Sequence, residues 1–328
     1  MSSDLGPASR RQGSFGERSR RLKAGESKRF SKEGDMPKRM KILIAYDGSE
    51  CAEAALDDLR NAGLPVDAQI KVLSVVENWL PPPSSLELIE HIDRDHEYLK
   101  LALRGASRLV SVEQDWDVKS ESATGSPATV IIEMADEWGA DLIVVGSHGR
   151  SALGRFFFGS VSQKVLHEAH CSVRVARGRI EEPDTPVRLI IGVDGSRDAE
   201  LAVDAVGARK WPTGSEARIV NATWAMPQLT SQHMVGPINK WFTEEKARIN
   251  KMIDEAAGKL RAAGLTTDVV VNEGEPKSLL ISEAESWGAD CIFVGAKGMS
   301  RIDRFLLGSV SSAVAARAHC SVEVARRR

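Results

Sequence analysis

Short, unbroken apolar runs alternate with amphipathic stretches along most of the chain. Residues 42–46 (ILIAY) form the first such run, the pattern of a strand buried on both faces. Asp47-Gly48-Ser49 stops it, and Ser49 is placed to cap the Ala-rich helix that follows (Ala52, Ala54, Ala55, Leu56, Leu59). A second strand is predicted over 70–76. A polar loop with prolines at 81–83 then leads to an amphipathic helix near 85–111. A third strand is expected near 117–122, and a helix over 127–138 that stops at Gly139, a residue suited to the left-handed turn after a helix. Next come a strand over 142–145, a Gly-Ser-His-Gly loop, a helix over 160–169 and a strand over 172–176.

Strand alternating with helix predicts a parallel sheet with right-handed crossovers and helices on both faces, an α/β class. Ligands of such sheets bind at the carboxyl ends of the strands, where the strand order reverses. The whole pattern occurs twice. KILIAYDGS (41–49) matches RLIIGVDGS (188–196), GSPATVIIEMADEWGADLIVVGSHG (125–149) matches GEPKSLLISEAESWGADCIFVGAKG (274–298), and RFFFGSVSQKVLHEAHCSVRVAR (155–177) matches RFLLGSVSSAVAARAHCSVEVAR (304–326). Offsets of 147 and 149 residues are the size of a domain, not of a solenoid unit. Two tandem domains follow, 38–178 and 188–328, with 179–187 as the linker around the acidic EEPDTP at 181–186.

Composition agrees with two domains: 328 residues, 42% apolar and 27% charged, are enough for a core in each. The net charge of −2 conceals an uneven distribution, since residues 1–39 hold 11 Lys/Arg against 5 Asp/Glu and the remainder is mildly acidic. That body offers no basic field for nucleic acid. Residues 1–37 have too few apolar side chains to offset their ordering entropy and read as a disordered, dispensable basic tail. Cys51, Cys171, Cys291 and Cys320 form no CxxC pair, which argues against zinc or thioredoxin chemistry; they read as small buried packing residues in a reducing compartment. No apolar run approaches the ~20 residues that span a bilayer, and no secretory leader is visible. The expectation is a cytoplasmic protein without membrane or nucleic-acid partners.

The candidate chemistry lies after the fourth strand of each repeat. Gly146-Ser-His-Gly149 is followed nine residues later by Gly159-Ser160 at a helix start, and Gly295-Ala-Lys-Gly298 by Gly308-Ser309 at the same spacing. Glycines let backbone approach a ligand closely, and a helix start offers N–H groups and the positive end of the dipole to phosphate. Arg150, Arg155, Arg301 and Arg304 stand in the same loops as candidates to contact anionic oxygens. Asp47 and Asp194, at the end of the first strand, are placed to accept from an adenine amino group or a ribose hydroxyl, or else only to form an Asx-turn. The segment 149–156 resembles a P-loop frame but lacks its Lys and Ser/Thr, and no GxGxxG follows the first strand. His148 reads as a turn residue, while its counterpart Lys297 adds a fixed charge. His170 and His319 read as helix-end residues and Trp138 and Trp287 as packing.

The Gly-x2-Gly-x9-Gly-Ser pattern, the Asp after the first strand and the closing His-Cys-Ser-Val strand resemble the ATP-binding branch of the universal stress protein family, over about 40–177 and 188–327. The resemblance implies two Rossmann-like (adenine nucleotide α-hydrolase-like) domains, each with a five-stranded parallel sheet in the order 3-2-1-4-5. It implies ATP, with magnesium, across the strand ends. Asp47 and Asp194 would meet the adenine or ribose end, and the backbone of Val75 and Ala222 the adenine. Gly146, Gly149, Arg150, Gly159, Ser160 and Val161 would hold ribose and phosphates, as would Gly295, Gly298, Gly308, Ser309 and Val310. It further implies edge-to-edge pairing of last strands, here within the chain, with a homodimer through the same strands as the other option. No acid–base pair, nucleophile–base pair or metal cluster repeats beside the loops, so the reading is a nucleotide-dependent regulator with no catalytic residues and an unidentified protein partner. The alternatives are a slow ATPase and a nucleotide-independent interaction module.

Overall fold

The computed structural model describes residues 39–77, 85–110, 115–148, 158–177, 185–223, 232–298 and 307–328. The tail expected over 1–37 and residues 179–184 of the expected linker lie outside them. The first half runs β1 (Lys41–Ala45), α1 (Glu50–Asp58), β2 (Gln69–Val76), α2 (Ser85–Val110), β3 (Asp117–Thr124), α3 (Pro127–Trp138), β4 (Leu142–Gly146), α4 (Ser160–Glu168) and β5 (Ser172–Ala176). The second repeats it: β6 (Arg188–Gly192), α5 (Arg197–Gly207), β7 (Glu216–Thr223), α6 (Gln232–Ala262), β8 (Thr266–Glu273), α7 (Pro276–Trp287), β9 (Cys291–Gly295), α8 (Ser309–Arg317) and β10 (Ser321–Ala325).

All ten strands form one sheet in the order β3-β2-β1-β4-β5-β10-β9-β6-β7-β8. Within each half the described ladders are parallel, and the halves join through an antiparallel β5–β10 ladder that sets Arg174 opposite Glu323. Pairing of the last strands inside the chain is therefore seen directly. A homodimer through those strands finds no open edge, because β4 and β9 flank them on their other sides. Such a dimer requires exchange of whole halves between chains.

Alternation along β5 and β10 builds the seam. Val173 and Val175, with Val322 and Val324, face one side and form a single core continuous across both halves. On the other side each half has its own core, centred on Ile42, Ile44 and Leu56 in one and on Leu189, Ile191 and Phe293 in the other. Arg174 and Glu323 lie between those two cores, 2% and 1% exposed. Trp138 and Trp287 are partly buried packing residues that also carry cations: Lys71 lies 5.2 Å from the first ring and Arg218 4.2 Å from the second.

Local signals act as the sequence suggests. The Ser49 and Ser196 hydroxyls accept from the N–H of Ala52 and Ala199, each at 3.2 Å, and cap α1 and α5. Gly139 and Gly288 end α3 and α7 at φ 81° and 69°. Ser196→Ala is expected to lower stability by about 1 kcal/mol in urea unfolding. Its effect should exceed that of Ser49→Ala, because the Ser196 hydroxyl also donates to the Lys297 carbonyl at 3.1 Å and ties α5 to the loop after β9.

Candidate functional site

The carboxyl ends of β1 and β4, and of β6 and β9, meet at one edge of the sheet. Asp47 Oδ1 accepts from the Ser49 N–H at 3.0 Å and Asp194 Oδ1 from the Ser196 N–H at 2.9 Å. The Asx-turn is thus realised in both halves, with Gly48 and Gly195 at φ 72° and 82° where a side chain would strain. The second oxygen of Asp194 reaches the other loop: a Cβ built on Gly298 would lie 2.7 Å from Oδ2. Two candidate residues from distant parts of the sequence are therefore in close contact. In the first half the corresponding Gly149, with Arg150, Arg155 and the second-half Arg301 and Arg304, lies outside the described residues.

The neighbouring strand ends are pinned by side chains that sequence reading did not single out. Ser74 donates to the Tyr46 carbonyl at 2.6 Å, and Asn221, its repeat counterpart, donates to the Val193 carbonyl at 2.7 Å. The Oδ1 of Asn221 is buried without a hydrogen-bond partner. These ties set Val75, paired in register with Ala123, and Ala222, paired with Asn272, at the same carboxyl edge as the two aspartates.

Gly146 and Gly295 serve close packing. A Cβ on Gly146 would stand 3.0 Å from the Cys51 carbonyl, and one on Gly295 would stand 2.4 Å from the Asp198 carbonyl carbon. The strand ends thus admit the first turns of α1 and α5 directly above them.

The helix starts are closed on one side by main-chain hydrogen bonds. The Gly159 N–H donates to the Ser147 carbonyl at 2.9 Å and the Gly308 N–H to the Ala296 carbonyl at 2.8 Å. These two amides are engaged by the protein's own carbonyls. What the glycines supply instead is the lack of a side chain: α4 and α8 begin with no side-chain cap. The N–H groups of Ser160 and Val161, and of Ser309 and Val310, have no acceptor within their own helices and sit at the positive end of the dipole. Ser160 and Ser309 are exposed, whereas the Val161 and Val310 side chains pack against the shared core. Ser162 donates to the Gly146 carbonyl at 2.6 Å and Ser311 to the Ala296 carbonyl at 2.9 Å, which anchors each helix start to its strand end. The repeated Gly-Ser-Val-Ser at 159–162 and 308–311 was the signal for this second serine.

The two copies diverge beneath the loop. In the first, His148 Nε2 stands 3.2 Å from Cys51 Sγ. In the second, the Lys297 N–H donates to Asp198 Oδ2 at 3.0 Å. Cys171, Cys291 and Cys320 are buried, as a packing role requires, but Cys51 is only half-buried, which corrects that reading for one of the four. Burial pushes the thiols of Cys171 and Cys320 up to about 12. Among the described residues no group of three or more His, Cys, Asp or Glu could hold a metal ion. None of the described helices is long and apolar enough to cross a membrane. A shallow cavity lined by Arg188, Glu216 and Asp290 lies at the amino edge of β6 and β7, away from these strand ends.

A sequence profile described as the universal stress protein family matches residues 38–177 and 187–326. A universal stress protein of Mycobacterium tuberculosis is 27% identical over 296 residues, covering 87% of this chain and 97% of that protein. One from Methanocaldococcus jannaschii is 34% identical over 145 residues, covering 42% of this chain and 81% of that protein. The crystal structure of a universal stress protein from Archaeoglobus fulgidus superposes with a TM-score of 0.63 at 22% identity, over 88% of this chain and 98% of that one.

Proposed function

The chain belongs to the universal stress protein family, and we propose that each half binds ATP across the carboxyl edge of its sheet and that occupancy regulates contacts with a protein partner. The observation that carries this reading is the pair of uncapped helix starts, α4 and α8, each anchored by a serine to the strand end beside it. An uncapped first turn at a sheet's carboxyl edge favours an anion. Asp47 and Asp194, held in their turns at the strand ends, would present a carboxylate toward ribose or the adenine amino group. Val75 and Ala222 would offer backbone groups to adenine. Gly146, Gly149, Gly295 and Gly298 would keep the loops thin enough for close approach. Ser160, Val161, Ser309 and Val310 would donate main-chain N–H groups to phosphate, with Gly159 and Gly308 leaving that approach open. Arg150 would add charge outside the first cradle. Magnesium, in this reading, arrives on the triphosphate, since the described residues offer no ligand cluster of their own.

The test is to purify the full chain, denature it, and identify and count the released nucleotide by mass spectrometry. Two adenine nucleotides per chain are expected, reduced to one by either Gly159→Glu or Gly308→Glu and to none by both, with the circular dichroism of the fold retained. A chain that neither carries nucleotide nor takes up added ATP overturns the reading.

A further inference from the structure

We infer that Cys51 is the chain's reactive thiol: a modification site for peroxides and small electrophiles, activated by His148 and present in the first half alone. The imidazole is held at both nitrogens. Its Nε2 lies 3.2 Å from Cys51 Sγ, its Nδ1 lies 3.0 Å from Ser147 Oγ, and that hydroxyl stands 3.8 Å from the same sulfur. With Nδ1–H donating to Ser147, the tautomer in which the thiol is activated, Nε2 is left as the acceptor facing the thiol. A nucleophile, a base within reach and a group that orients the base is the arrangement that activates a cysteine. Cys51 also lies in the first turn of α1, behind the Ser49 cap. Glu50 and Glu53 share that first turn; Glu53 is committed to Tyr46, Arg104 and Arg108.

The contrast within the molecule is sharp. The repeat counterparts of Cys51 and His148 are Asp198 and Lys297, so the second half lacks both thiol and base. The other three cysteines are 1–3% exposed and lie in or beside strands. With a peroxide as oxidant, Nε2 takes the thiol proton and the sulfur attacks one peroxide oxygen. The O–O bond breaks, and the departing hydroxide recovers the proton from the imidazolium and leaves as water. The sulfur is oxidised by two electrons to the sulfenic acid, and the peroxide is reduced. With a haloacetamide, an S–C bond forms and halide leaves.

The experiment uses the folded full chain, limiting iodoacetamide and peptide mapping at intervals. Cys51 is expected to react about tenfold or more faster than Cys171, Cys291 and Cys320, and faster than the thiol of an unstructured peptide of residues 48–54 at the same pH. His148→Gln is expected to slow it by about tenfold or more while the other three thiols stay protected. Dimedone, after dilute hydrogen peroxide, is expected to tag Cys51 first. Labelling of Cys51 no faster than the peptide overturns the inference in the wild-type chain alone, whatever the variant does. A rate unchanged in His148→Gln removes the imidazole from it. Asp198→Cys with Lys297→His and Ala296→Ser, which restores the orienting hydroxyl, is expected to create a second reactive thiol. The rates are measured on chain stripped of co-purifying nucleotide, so they stand or fall apart from the proposed ATP sites.

Discussion

Arg174→Ala is expected to destabilise the folded chain by about 3–5 kcal/mol, the penalty for leaving a buried charge without its partner. The guanidinium donates through Nε to Asp58 Oδ2 at 2.5 Å, through Nη2 to Asp58 Oδ1 at 3.0 Å and through Nη1 to Glu323 Oε2 at 3.2 Å. Arg209 closes on both oxygens of Glu323 and reaches the Ala62 carbonyl at 3.2 Å. Ser321 donates to Asp58 at 2.7 Å. Four charges thus run in alternating order, Asp58–Arg174–Glu323–Arg209, each at most 7% exposed. Truncating Arg174 strands Asp58 and half of Glu323 in the protein interior. Replacing all four by apolar residues of similar volume is expected to cost far less than the single truncation, since neither ion then needs the other. Urea unfolding of the two variants checks the order of effects; equal losses would mean that the seam depends on shape and not on charge.

The same network has a sign in pH. Burial would raise the Glu323 carboxyl, but Arg209 and Arg174 outweigh it and hold it below the usual carboxylate range. A depressed folded value means that the contribution is present above the unfolded carboxylate value of about 4.3 and is lost as pH falls through the lower folded one. Arg174 and Glu323 are counterparts in the repeat, whereas Asp58 and Arg209 correspond to alanines, Ala205 and Ala62. Alternation therefore holds only where unlike halves meet. Two copies of the first half would set Arg174 against Arg174 across the same ladder.

That network shows where sequence reading ends. Apolar runs, helix stops and serine caps are local signals, so β1, α3, β5 and their repeats could be placed from the chain alone. Asp58 and Arg209 carry no such signal: each is one charge in a helix or helix-end stretch, and only the β5–β10 ladder brings them together. Cys51 and His148 are 97 residues apart and meet because Gly146 lets α1 descend onto β4. The glycine spacing marked loops that the fold sets at the carboxyl edge of the sheet. It could not show that the Gly159 and Gly308 amides are already bonded, because that depends on how the loop returns.

Gly295→Ala is expected to be the most damaging single-methyl change in the second half. The added Cβ would stand 2.4 Å from the Asp198 carbonyl carbon, 2.6 Å from its oxygen and 2.6 Å from the Ala199 nitrogen, all backbone atoms of the first turn of α5. Backbone cannot rotate aside as a side chain does, so the helix must lift. Lifting it pulls Asp198 from the Lys297 N–H and Ser196 from the Lys297 carbonyl, ties that hold α5 to the loop after β9. Overpacking of this kind costs about 3 kcal/mol, at the upper end of the usual range. At the matching place in the first half, a Cβ on Gly146 meets the Cys51 backbone at 3.0 Å, a gap that a shift of a few tenths of an ångström relieves. Gly146→Ala is therefore expected to cost about 1 kcal/mol. Urea unfolding of both variants gives the comparison, with the iodoacetamide rate of Cys51 as a local reporter. That rate should change in Gly146→Ala, where the helix carrying the thiol moves, and stay constant in Gly295→Ala. Equal destabilisation by the two substitutions would mean that α5 and α1 yield alike, and that the closer approach in the second half imposes no rigidity on its loop.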